Sequence, residues 1–266
     1  MTTDGTESTP DPTVTDAVPP LAPSEPSAPA STSRPPAASW IWVVTLAAGL
    51  AAGFCAWLAA EPIYGRYQPA GVVRSAFDTP EESDAKDQAL RKAMTLEASL
   101  TFGALGAFLG LTFGMAGGVA RGSIRAGVKA ASIGMMLGAA GGLAAGRLLT
   151  PMHYNLRESV ADDLVVALLV QGGICAVVGA MAGAAFSLGL GDDDRFFDFR
   201  LVAGGLLGAL AGLIVYQMVG GIAFPLDETT LPLSSTWRAR LFARGVVTGF
   251  AAIGVMLAMS ANVRAR

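Results

Sequence analysis

The sequence predicts an all-α, polytopic membrane helix bundle of about six transmembrane helices behind a disordered N-terminal tail, on three observations. Of 266 residues, 52% are apolar and 15% charged, where an ordinary globular domain carries roughly 25% charged residues. The charges collect in short segments and leave long runs with none, as a bilayer requires, because a charge at mid-membrane costs on the order of 3 kcal/mol or more. No run shows the period-two alternation of a membrane barrel strand.

Residues 1–38 form the tail. They hold nine of the 15 prolines among Ser, Thr, Ala and Asp, too little apolar side chain to offset the entropy of ordering. The transmembrane domain occupies 39–262. Its six apolar runs, each near the roughly 20 residues that cross a bilayer, are expected at about 39–60, 98–120, 126–149, 164–190, 201–224 and 243–261. Trp40, Trp42, Trp57, Tyr64 and Tyr67 bracket the first run as interfacial anchors, and Tyr154 and Trp237 are expected in loops.

The first loop, 61–97, should carry a helical extension of the second span from about residue 80. Thr79-Pro80-Glu81-Glu82 combines a capping threonine, a first-turn proline and a glutamate three residues on. Glu82 with Lys86 and Asp87 with Arg91 are spaced to support that helix in water. Ser159-Val160-Ala161-Asp162 reads as a similar start for the fourth span. The density of basic residues in the loop between spans two and three, Arg121, Arg125 and Lys129, argues for that loop and both termini on the cytoplasmic side, while the larger basic count of the long loops argues for the reverse.

Spans one, three and five each end at a proline (Pro62, Pro151, Pro225), and each has a glycine 13 residues earlier (Gly49, Gly138, Gly212). Three helical hairpins, repeated about an axis along the membrane normal, would give that pattern. The dominant local motif is Gly-x-x-x-Gly. It occurs as Gly49/Gly53, Gly106/Gly110/Gly114/Gly118, Gly134/Gly138/Gly142/Gly146, Gly179/Gly183, Gly204/Gly208/Gly212 and Gly245/Gly249. Residues four apart share a helix face, so each ladder makes a groove that admits another backbone.

Residues with chemistry are few. Gln171 and Gln217 lie deepest in their spans and could line a polar path, although interhelical hydrogen bonding explains them as well. Glu97, Arg147 and Arg244 fall near span ends, where long side chains reach the headgroups. His153 is the single histidine and cannot build a multi-ligand metal site. Asp192-Asp193-Asp194, followed by Phe196, Phe197 and Phe199, reads as a solvated loop with interfacial aromatics. Cys55 and Cys175 sit in apolar runs as small packing residues.

No catalytic constellation, cofactor motif or metal centre is expected, and no basic face would engage nucleic acid. The expected partners are the lipid bilayer and a second copy or another membrane protein. The leading expectation is a structural or assembly component packing through its glycine ladders. The alternative is a transporter or channel for a small uncharged solute. A dry core with an exposed glycine groove would favour the first, and a polar cavity near Gln171 and Gln217 the second.

Overall fold

A computed structural model describes residues 38–67, 79–159, 162–191, 198–225, 227 and 229–264. The N-terminal unit, Met1–Pro35, and the aspartate-rich segment 192–194 lie outside the described residues. The chain is all-helical in its described part: α1 (Ala38–Ala60), α2 (Pro80–Ala120), α3 (Ile124–Ser159), α4 (Asp163–Leu190), α5 (Phe199–Ala223) and α6 (Trp237–Arg264), with a 3₁₀ turn, Glu61–Ile63, after α1. All six helices are long and apolar enough to cross a membrane. They support a multi-pass membrane protein.

The start of α2 follows from its first four residues. Thr79 Oγ1 accepts from the Glu82 amide at 3.4 Å, and the Glu82 carboxylate accepts from the Thr79 amide at 3.1 Å. With Pro80 in the first turn, this closes a capping box. The helix then runs for 41 residues, roughly 60 Å at 1.5 Å per residue, about twice the hydrocarbon thickness.

Three expected borders move. Helix α3 passes through Pro151 and continues to Ser159. The proline removes one backbone hydrogen bond, but the segment beyond it is held from the side. Tyr154 donates its hydroxyl to Met94 Sδ at 2.9 Å, and the Arg91 guanidinium lies 5.2 Å from the Tyr154 ring centre. Tyr154 is therefore helical, as is Trp237, which opens α6 six residues earlier than hydropathy indicated. Thr236 fixes that start by accepting from the Ala239 amide at 3.4 Å. For α4 the cap is Asp162, whose carboxylate accepts from the Leu164 amide at 2.9 Å, while Ser159 ends the preceding helix.

The even-numbered helices form the inside. Helices α2, α4 and α6 bury more of their apolar windows than α1, α3 and α5. Each odd helix packs on two even neighbours: α1 on α6 and α2, α3 on α2 and α4, α5 on α4 and α6. The odd helices turn apolar stripes outward, as in Val43, Leu46, Leu50, Phe54 and Leu58 of α1 and Leu207, Ile214, Met218 and Ile222 of α5. Large apolar residues facing out at helical spacing are what lipid accommodates and water does not. Three hairpins around one axis would occupy these positions. Two departures are plain: α3 pairs most extensively with α2, and α6 stands off from α2.

The α2–α3 pair is nearly backbone on backbone. A three-residue turn with Gly122 at φ +76° joins the helices. From there Gly118 faces Gly127, Gly114 faces Ala130 and Ala131, Gly110 faces Gly134, Gly106 faces Gly138, Gly142 faces Phe102 and Gly146 faces Ser99. From Gly118 to Phe102 each step of four along α2 is matched by a step of about four along α3, and the last step, to Ser99, is three. Between α2 and α4 the core is side-chain packing, with Phe113 edge-on to Phe186 at 6.4 Å and Leu109, Ile174 and Val178 fully enclosed around them.

Candidate functional site

The remaining ladders are also met within the chain. Gly179 and Gly183 of α4 face Gly205 and Leu201 of α5, while Gly204, Gly208 and Gly212 of α5 face Gly254, Phe250 and Val247 of α6. Gly49 and Gly53 of α1 face Thr248 and Arg244. The exception is Gly245/Gly249. Gly245 has nothing within 4 Å of where a side chain would stand, and Gly249 has only Leu50 Cδ2 at 3.6 Å. Helix α6 approaches its neighbours through Thr248, Ala252 and Gly254 instead, so that expected pair is not the packing face.

Standing α6 off from α2 leaves space at the end of the bundle where the α5–α6 connection, 224–236, folds inward. Four polar side chains hold it. Gln171, in the third turn of α4, donates to the carbonyls of Thr229 at 3.3 Å and Leu231 at 2.5 Å. Gln217 of α5 donates to Gln171 Oε1 at 2.8 Å and to the Thr229 carbonyl at 3.2 Å. Tyr216 and Ser234 share a hydroxyl–hydroxyl hydrogen bond at 2.5 Å. Arg240 donates to the Ser234 and Ser235 carbonyls at 2.9 and 2.8 Å. Both glutamines are buried, so the two deepest amides of the sequence meet each other and receive a loop whose carbonyls would otherwise be orphaned.

Beneath Leu231-Pro232-Leu233 lies a cavity of about 60 Å³. Thr101, Gln171, Tyr216, Ser234, Arg240 and Arg244 are its polar lining, and Phe102, Leu105, Leu213 and Val247 are its main apolar walls. The same Leu-Pro-Leu segment borders a second cavity of about 40 Å³, shared with Tyr64, Met94 and Glu97. One stretch of chain therefore borders both small voids. Gln217 does not reach the larger one, but its Oε1 is buried without a partner.

The charged residues are not where hydropathy put them. Arg147 is exposed at its helix surface, but Glu97 is 2% exposed and accepts from the Tyr67 amide at 3.2 Å. Arg244 is 7% exposed, borders the cavity and donates to the Ala56 carbonyl at 2.9 Å. It is not at a helix end, because α6 begins seven residues before it. Arg240 grips Glu61 with two nitrogens and stacks 3.7 Å from the Tyr64 ring centre. His153 is 2% exposed with neither ring nitrogen bonded.

Asp227 ties the loop to the start of α6, accepting from the Ser235 amide at 2.9 Å, the Thr236 amide at 3.4 Å and both hydroxyls. Partial burial pushes its carboxyl up, but the four hydrogen bonds outweigh burial and hold it below its ordinary 3.8. A carboxyl depressed by folding contributes stability above its unfolded value and loses it as pH falls through the folded one. Asp227→Ala should therefore expose 224–236 to proteolysis near neutral pH, while the wild-type loop should loosen only below about pH 4. Tryptophan fluorescence that stays flat through an acid titration of the wild type would contradict this.

The fold and this site define a class: a multi-pass helical membrane protein with a small, mainly apolar cavity that reaches a few buried polar side chains beside an inward-folded loop. No family model matches the chain, and no curated protein or solved structure does either.

Proposed function

We propose that the chain binds and carries a small solute, with the cavity between α2, α4, α5 and α6 as its binding site. The observation that carries this reading is the buried polar set at the cavity, Gln171, Tyr216, Arg240 and Arg244. Ionisable groups inside a membrane bundle are costly, and they mark pathways when they line a cavity. A cavity at the interface between helical repeats is the usual place for such a site, and the hairpin pattern of the sequence supports that comparison. The Leu231–Leu233 segment is placed to act as a plug between the two voids.

The assembly reading needs a glycine ladder left over for a partner. Among the described residues the ladders of α1 to α5 are met inside the chain, and of the α6 pair Gly245 alone is left open, Gly249 being buried against Leu50. The solute reading therefore has more support.

Reconstitution tests it. Purified protein in sealed liposomes should pass at least one member of a broad panel of small solutes faster than protein-free vesicles. Gln171→Ala, which frees the loop, should change that rate by roughly tenfold or more, since it removes the hydrogen bonds to the Thr229 and Leu231 carbonyls and a third from Gln217. A panel in which no solute passes and none raises the unfolding temperature would remove the proposal.

A further inference from the structure

Resting on the solute-binding reading, we infer that the solute is a small organic anion, a monocarboxylate with a short alkyl body, and that Arg244 is the residue that selects its charge. Among the described residues, two guanidiniums line the cavity, those of Arg240 and Arg244, and the Glu61 carboxylate lies against Arg240. Glu61 is engaged by Arg240, bidentate at 3.2 and 2.5 Å. Among the described residues no carboxylate lies within 4 Å of Arg244, whose guanidinium donates to the Ala56 carbonyl. Another described acid, Glu97, lines the smaller void and accepts from the Tyr67 amide.

A guanidinium does not shed its proton, so Arg244 keeps its charge while 93% removed from solvent, and the described acid near it, Glu61, is already engaged by Arg240. A single carbonyl dipole does not balance a buried cation, whereas an anion in the cavity does. The planar fork of an arginine matches a carboxylate in two parallel hydrogen bonds. The rest of the wall sets the body of the ligand. Phe102, Leu105, Leu213 and Val247 offer it only hydrocarbon. A cavity of about 60 Å³ admits only a few heavy atoms beyond a water or two. A carboxylate head with a chain of two or three carbons satisfies both ends.

Equilibrium dialysis of radiolabelled propionate against the full-length protein in nanodiscs decides the matter. The expected result is saturable binding, displaced by unlabelled propionate but at least about 30-fold less well by propionamide, which has the same shape without the charge. Arg244→Gln should weaken propionate binding by at least about 30-fold, Arg244→Lys by less, and Arg147→Gln not at all. Where Arg244→Gln does not fold, the propionamide comparison on the wild type still decides. Propionamide competing as well as propionate overturns the inference while leaving the solute reading intact. Chloride competing equally overturns the assignment to a carboxylate. Absence of saturable propionate binding overturns the inference outright, and the liposome panel then judges the solute reading separately.

Discussion

Gly110→Leu is expected to abolish the folded protein altogether, leaving aggregate where the wild type gives a monodisperse peak on size exclusion in detergent. A side chain at Gly110 would overlap the carbonyl oxygen and carbon of Gly134, and the next atom in its way is the Met135 amide. All three are backbone, so no rotamer change relieves the clash. Ordinary overpacking in a core costs about 1–3 kcal/mol through side-chain adjustment. Here α2 and α3 must separate instead, and their shared register means that the contacts of Gly106 with Gly138 and of Gly114 with Ala131 are lost together. Total stabilities of about 5–15 kcal/mol do not absorb that. Gly245→Ala is the internal control. Nothing stands within 4 Å of that position, and alanine improves helix propensity by about 1 kcal/mol, so this variant should unfold at or slightly above the wild-type temperature. An unchanged elution profile and melting temperature for Gly110→Leu would mean that the α2–α3 register is wrong.

That contrast shows where sequence reading succeeded and where it stopped. Hydropathy and small-residue spacing found all six helices, because a membrane span must be long, apolar and internally hydrogen-bonded whatever it packs against. The cap at Thr79 was legible because its four residues make their bonds with one another. Helix borders set from a distance were not legible. The run of α3 past Pro151 depends on Met94, 60 residues away from Tyr154, and the early start of α6 depends on Arg240 reaching Glu61, 179 residues away. Misplacing that start put Arg244 at a membrane surface, when it lies at the cavity. The glutamines stood out as deep polar groups, but their partners are loop carbonyls, which carry no side-chain signature. The threonine before Trp237 was the available clue, since a Thr three residues ahead of Ala239 is a recognisable cap spacing.

Arg240→Ala should be the second most damaging change, lowering the unfolding temperature and opening 224–236 to protease at the same time. The side chain is 6% exposed and binds four things: the Glu61 carboxylate, the Ser234 and Ser235 carbonyls, and the face of Tyr64. Removing it strands an acid and two backbone acceptors, and breaking a buried pair in this way costs about 3–5 kcal/mol. Because the Glu61 side chain keeps 31% exposure, the lower end of that range applies. Arg240→Lys retains the charge but not the fork, so it should lie between alanine and wild type. Glu61→Ala should cost less than Arg240→Ala, since Arg240 keeps its two carbonyls, and the double variant should be no worse than Arg240→Ala alone. The loop effect follows from connectivity. With the Ser234 carbonyl released, the Tyr216–Ser234 hydrogen bond loses its support, and the Leu231 carbonyl that Gln171 holds lies only three residues further back. Thermal unfolding in detergent and limited proteolysis read the two effects independently. A destabilised protein whose loop still resists protease would locate the role of Arg240 in joining α1 to α6, with the plug held by the glutamines alone.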